Sequence, residues 1–240
     1  MALTPLAATV VGRLTDTYGA ARDPERAAPM VTYMRHQFAY LGIGAPEQGV
    51  LSRTVVAGLP SPTAADLREI ALACWALDER EYQYFAARML RRHVRACGAE
   101  FLDTVRFLIT TKPWWDTVDE LAVHVVGPLV ARFGELATTM DAWSVDADMW
   151  LVRTAILHQL RYRDKTDSER LFRYCEWQAG HRDFFVRKAI GWALREYAKI
   201  DPDAVRAFVD TQRESLSGLS VREALRNVAP APERAPRNIG

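Results

Sequence analysis

The residues best suited to chemistry in this chain are tryptophans set beside charges on apolar helices. In the run Lys112-Pro113-Trp114-Trp115-Asp116-Thr117-Val118-Asp119, Trp115 and Asp119 stand four apart. On a helix that spacing places them on one face. An indole face attracts cations, by ~0.5–2 kcal/mol depending on desolvation, and a carboxylate adds a full negative charge beside it, so the pair is equipped to stabilise positive charge. Arg153 follows Trp150-Leu151-Val152 inside an otherwise apolar helical run, and Phe185 and Trp192, seven apart, again share a face. The same residues also have a structural reading: tryptophans in helical proteins usually pack cores, and neighbouring charges reach out to water. Spacing alone leaves both readings open. On spacing, Trp114 belongs to the core, and Asp116 is a helix-start carboxylate favoured by the macrodipole.

Other chemistries lack their signatures. The chain has no glycine-rich phosphate loop, no paired metal motif and no nucleophile elbow. His93 and Cys97 are four apart, but further ligands with local spacing are missing, so they read as a surface histidine above a buried thiol, with no metal site and no cofactor expected. Cys74, Cys97 and Cys175 are an odd, widely spaced set. Free thiols of this kind suit a reducing cytoplasm. No stretch approaches the ~18 consecutive apolar residues of a membrane span, and the first residues carry no basic start or apolar run that would mark a secretory signal. A formal net charge of +1 says little about partners; nucleic-acid binding would need basic residues gathered on one face.

The elements that position these residues are helical nearly from end to end. Apolar residues recur at helical spacing in segments near 4–19, 24–39, 46–58, 63–76, 79–97, 100–110, 114–139, 146–163, 167–179, 183–199, 202–214 and 220–227. Pro24, Pro62, Pro113 and Pro202 stand at or near segment starts, where a missing N–H costs nothing. The spacing predicts an all-α protein. Val152-Arg153-Thr154-Ala155-Ile156 recurs as Val186-Arg187-Lys188-Ala189-Ile190, 34 residues on (186 − 152), and Ala87 stands two such periods before Ala155. A small residue at a fixed place in each unit lets neighbouring helices approach closely, as in a helical solenoid. Residues 1–227 show no evident linker and read as one domain; the proline-containing tail 228–240 reads as disordered.

Five segments, in order, resemble the AlkD-like DNA alkylation repair family: YMRHQFAYLGI from Tyr33, EREYQYFAARML from Glu79, LITTKPWWDTVD from Leu108, WLVRTAILHQLRYRDKTD from Trp150 and FFVRKAIGWALREYAK from Phe184. The resemblance implies a right-handed solenoid of stacked HEAT-like repeats whose concave face binds duplex DNA. It assigns the reaction to Trp115, Asp119, Arg153 and Trp192, and the lining of the same site to Tyr33, with Phe184 and Phe185 as aromatics near the DNA. The activity implied is that of a monofunctional DNA glycosylase in base excision repair. Such an enzyme excises 3-methyladenine and 7-methylguanine from duplex DNA and leaves an abasic site.

These residue types suit that chemistry. An N3- or N7-alkylated purine is already cationic, so its glycosidic bond is weakened and the leaving base needs no proton. The remaining task is to stabilise an oxocarbenium-like sugar. Asp119 would do this and position the attacking water; Arg153 would grip a phosphate and fix Asp119. Basic residues fall in three clusters: Arg88, Arg91, Arg92, His93 and Arg95; Arg161, Arg163 and Lys165; and Arg187, Lys188, Arg195 and Lys199. Clusters on successive repeats suit phosphate neutralisation, with Arg161, Arg163 and above all Lys188, four before Trp192, expected to face DNA. Arg187 reads as a repeat-mate of Arg153. The chain is expected to act as a monomer. The alternatives are a non-catalytic HEAT-repeat DNA-binding protein and a protein scaffold.

Overall fold

A computed structural model of the chain describes residues 3–228, so the tail expected to be disordered lies, past Val228, outside the described residues. The fold is all-α, and among the described residues the only β pairing is an isolated bridge between Ala39 and Glu79. Two compact units divide at His158 and Gln159.

The first unit contains α1 (Pro5–Ala20), α2 (Pro24–Tyr33), α3 (Ala45–Val56), α4 (Ala64–Ala76), α5 (Arg80–His93), α6 (Phe101–Thr110), α7 (Trp115–Leu121), α8 (Gly127–Arg132), α9 (Ala137–Trp143) and α10 (Met149–Leu157). Helix starts follow local chemistry. Asp23 accepts the N–H groups of Glu25 and Arg26 at 3.1 Å each, ahead of Pro24, and Thr63 and Asp66 form a reciprocal capping box. Leu14, Tyr18, Ile70, Trp75, Phe85 and Leu108 are among the fully buried side chains. The Trp75 indole N–H reaches the carbonyls of Leu108 and Thr111, each at 3.0 Å, which ties α4 to the end of α6.

Two departures from the periodic pattern matter for the site. The apolar pattern predicts a helix through residue 39, yet α2 ends at Tyr33. Arg35 and His36 then take left-handed φ values of 54° and 58°, a conformation that side chains with a Cβ rarely adopt and that no helix continues through. The loop beyond is held by the fully buried Glu81 carboxylate, which accepts the N–H groups of Leu41, Gly42 and Ile43 at 3.0, 2.9 and 3.2 Å. Gly42 has φ 93°, and a Cβ there would stand 2.0 Å from the Asp23 carbonyl oxygen, so only glycine fits. The second departure is the segment 114–139, which breaks into α7, a π-helical turn over Ala122–Val126, α8 and α9. Helix α7 lies against α5 on one side and α10 on another.

The second unit contains α11 (Ser168–Trp177), α12 (Phe184–Tyr197), α13 (Pro202–Thr211) and α14 (Gly218–Ala224). Helices α12 and α14 pack closely because Gly191 has no side chain: a Cβ there would meet the Glu223 Cβ at 2.5 Å. Phe172 stacks on Phe208 with centroids 4.9 Å apart. The small residues at the repeated position, Ala87, Ala155 and Ala189, are all buried. Among the described residues no helix is long and apolar enough to cross a membrane.

Candidate active site

The site is built on α7. Lys112, at φ 50°, turns the chain ahead of Pro113, and Trp114 in extended conformation precedes the first helical residue, Trp115. One turn further on stands Asp119. Its carboxylate receives a bidentate pair from Arg153 on α10: Nε donates to Oδ1 at 2.7 Å and Nη2 to Oδ2 at 2.7 Å. Planar fork-to-fork pairs of this kind fix orientation as well as charge. Arg153 is 3% exposed, while the Asp119 side chain keeps 16% of its surface open. The guanidinium is thus turned to the carboxylate, which keeps the more open surface of the two. Of the two roles expected for Arg153, this geometry serves fixing Asp119. Burial pushes the Asp119 carboxyl above the usual carboxylate range; Arg153 pulls it back, and the nearby Asp116 carboxylate adds to the rise.

Aromatic rings complete this part of the site. Trp115 is partly buried against a cluster centred on Ala27, Met34 and Tyr40. Tyr33, the last residue of α2 and 74% exposed, meets the Trp115 ring edge-on at 6.5 Å and 77°. Tyr33, Trp115, Asp119 and Arg153 are thus brought together within one unit from three helices, with Arg153 34 positions after Asp119 (153 − 119) and Trp115 82 after Tyr33 (115 − 33). Trp114, expected in the core, packs against the same cluster while staying partly exposed; it meets Trp150 at 6.0 Å and lines a cavity of about 670 Å³ with Phe38, Lys112 and Met149.

Around Asp116, the chain neighbour of Trp115, lies a network that sequence reasoning misses. Arg80 is fully buried and donates from Nε and Nη2 to the two Asp116 oxygens at 3.0 and 2.6 Å, and also to Thr117 Oγ1 at 2.8 Å and the Lys112 carbonyl at 2.9 Å. The Tyr84 hydroxyl donates to Asp116 at 2.6 Å, and Tyr40 and Tyr84 share a hydrogen bond of 2.9 Å. Burial and the Asp116 charge raise the Tyr84 phenol far above its ordinary range. Asp116 does sit in the first turn of α7 and accepts the Thr117 N–H at 2.8 Å, but its main partner is Arg80. Helix α7 is therefore clamped twice, by Asp116 to α5 and by Asp119 to α10. The sequence does carry one signal of this, in spacing: Arg80 and Asp116 are 36 apart, close to the 34 that separates Asp119 from Arg153.

The remaining expected residues lie in the second unit. Trp192 is partly buried on α12. Phe184, 47% exposed, meets Phe185 edge-on at 5.4 Å. Arg161 and Arg163 are exposed, Arg163 with φ 56°. Lys188, expected to face DNA, forms an ion pair with Glu223 at 2.5 Å, and Arg195 pairs with the same carboxylate, so its charge is met within the unit. Arg187 donates to the Asp183 carbonyl at 3.3 Å; unlike Arg153, the bond it shows is to backbone. Within the cluster from Arg88 to Arg95, Arg91 pairs with Glu120 at 3.2 Å. Cys97 beside His93 is buried, its thiol pushed up to about 11, and among the described residues no three His, Cys, Asp or Glu side chains gather as metal ligands.

A family model described as "DNA alkylation repair enzyme" matches residues 14–228. Among solved structures, one described as "Predicted DNA alkylation repair enzyme from Enterococcus faecalis" is 31% identical to this chain. The match covers 88% of this chain and 98% of that one, with a TM-score of 0.79. No curated protein matches.

Proposed function

The chain belongs to the DNA alkylation repair enzyme family, and from that membership and the α7 site we propose that it is a monofunctional glycosylase. Its substrates are cationic N3- and N7-alkylated purines in duplex DNA. The observation that carries this reading is the Asp119 carboxylate, fixed by Arg153 and open on one side, on the same face as Trp115 and next to exposed Tyr33.

In the proposed reaction the C1′–N bond breaks with its electron pair leaving on the base. The cationic purine thereby becomes neutral and needs no general acid. Positive charge passes to the sugar, where the Asp119 carboxylate opposes it and the Trp115 π-face adds cation attraction. Water attacks C1′, its lost proton passing toward Asp119, and an abasic site remains. The resemblance alone assigns Trp192 a second indole face. A Schiff-base route with strand cleavage lacks a suitable amine on α7: Lys112, the lysine nearest it in sequence, donates to the Leu77 carbonyl at 2.7 Å and lies 3.7 Å from Asp78.

The test is release of 7-methylguanine and 3-methyladenine from methylated duplex DNA by the whole chain in the presence of EDTA. Release of both, with no strand nick, is expected. Duplex binding with steep salt dependence but no release would make the chain a non-catalytic binding protein; neither release nor binding would favour a scaffold.

The same reading fixes a pH dependence. The Asp119 anion is required and its carboxyl is raised above the ordinary 3.8, so rate falls as pH drops and Asp119 takes its proton. A pH–rate profile on a methylated duplex should show an acid limb beginning at higher pH than an ordinary aspartate would give. A limb that begins only in the ordinary aspartate range would mean that the carboxyl is not raised, and a rate that stays level below that range would exclude Asp119 as the required anion.

A further inference from the structure

Away from α7, helices α3 and α5 border an open cleft of about 180 Å³ lined by Arg53 from one helix and Arg88 and Arg92 from the other, with Ser52 and the apolar Val56, Phe85 and Met89. Three guanidiniums of one sign gather here, and none has a carboxylate within 4.0 Å among the described residues. Arg91, between two of them in sequence, does have one in Glu120. Like charges brought together without an acid repel one another unless an anion joins them.

Arg88 is held in place at the cleft. Its Nη2 donates to Gln48 Oε1. Gln48, 4% exposed, is itself fixed by donating from Nε2 to the Ile43 carbonyl at 2.7 Å. The Ser52 hydroxyl donates to the Gln48 carbonyl at 2.6 Å, with Tyr18 OH 2.9 Å behind it. Meanwhile Arg88 Nε is buried and has no hydrogen-bond partner. A buried charged donor left unmet is costly, and Arg88 lines the cleft, where an anion close to its guanidinium would offset that cost. The cleft is smaller than the ~300–1,000 Å³ of pockets that enclose whole cofactors or drug-sized ligands, which fits a single tetrahedral group at the end of a larger molecule.

We propose that the α3–α5 cleft binds a phosphate group through Arg53, Arg88 and Arg92. The phosphate comes from a nucleic-acid backbone or from a small phosphorylated ligand. The proposal does not depend on glycosylase activity, since the cleft shares no residue with the α7 site; only the assignment to a DNA backbone rests on that reading.

The probe is inorganic phosphate, titrated into the whole chain against chloride at equal ionic strength, with thermal unfolding and calorimetry as readouts. Wild type should be stabilised by phosphate. The double variant Arg53→Gln/Arg92→Gln, altered only at exposed side chains, should unfold at the wild-type temperature in chloride yet bind phosphate at least tenfold more weakly. Arg88→Gln should do the same, judged against its own unfolding temperature in chloride. An equal phosphate response in wild type and the double variant, or no response in wild type, would overturn the site. Binding to undamaged duplex then separates the sources. A slope of log K against log salt that falls by ~1 per arginine removed assigns the DNA backbone, and an unchanged slope with the phosphate response intact in wild type assigns a small phosphorylated ligand. Base release measured beside these keeps the two readings apart, because either can fail while the other stands.

Discussion

Asp119→Asn should lower the rate of 7-methylguanine release by at least ~100-fold, about 3 kcal/mol of transition-state stabilisation, the scale at which single electrostatic groups in enzyme sites act. The substitution keeps the volume and removes the charge. It also turns one acceptor oxygen into an NH2 group that faces a donor of Arg153, whose Nε and Nη2 each donate to a carboxylate oxygen at 2.7 Å in the wild type. The arginine, 3% exposed, is left partly uncompensated, so some loss of stability accompanies the loss of rate. Three measurements separate these effects: single-turnover release, affinity for undamaged duplex, and unfolding temperature. A catalytic role requires release to collapse while the variant stays folded at the assay temperature and duplex affinity changes only a few-fold. Wild-type release by folded Asp119→Asn would remove Asp119 from the chemistry.

The part of the site that spacing can encode is legible in the amino-acid sequence. Trp115 and Asp119 are four apart on one helix, so their shared face follows from helix geometry alone. Arg153 stands out as a charge inside an apolar run, and the family resemblance links it to Asp119. The features that sequence reasoning misses share a physical cause, because each depends on a tertiary approach or a backbone conformation that composition does not encode. Arg80 lies between Glu79 and Glu81 at a helix start, where nothing in its neighbours marks it for burial; it is covered by tertiary contacts, the Phe38 ring and the Asp116 and Thr117 side chains of α7. Spacing to Trp192 points Lys188 toward DNA, but Glu223, 35 residues on, takes its charge. Helix α2 stops at Tyr33 because Arg35 and His36 adopt positive φ, and neither residue type announces that. The stop has consequences for the site, since it leaves Tyr33 at a helix end, exposed, with its ring against Trp115.

The clamp beneath the site predicts the largest effect on stability. Arg80→Leu should destabilise the protein by roughly 3–5 kcal/mol, the usual cost of removing one partner from a buried ion pair. For a chain of this size that corresponds to a fall in Tm on the order of 10 °C. The guanidinium donates to both Asp116 oxygens, to Thr117 Oγ1 and to the Lys112 carbonyl, and its Cζ stands 3.8 Å over the Phe38 ring. Without it, the Asp116 side chain, 7% exposed, keeps the Tyr84 hydroxyl and the Thr117 N–H but no cation. Most of the cost is therefore the stranded carboxylate, which gives the prediction its check: Arg80→Leu/Asp116→Leu should be more stable than Arg80→Leu alone, because an apolar pair leaves no buried charge behind. If the double variant is as unstable as the sum of the two single ones, the pair is not the source of the loss. Activity should follow a different order. Asp116 precedes Asp119 by one helical turn and adjoins Trp115, so releasing α7 from α5 frees the helix that carries both. The double variant should then regain stability without regaining the wild-type rate of base release.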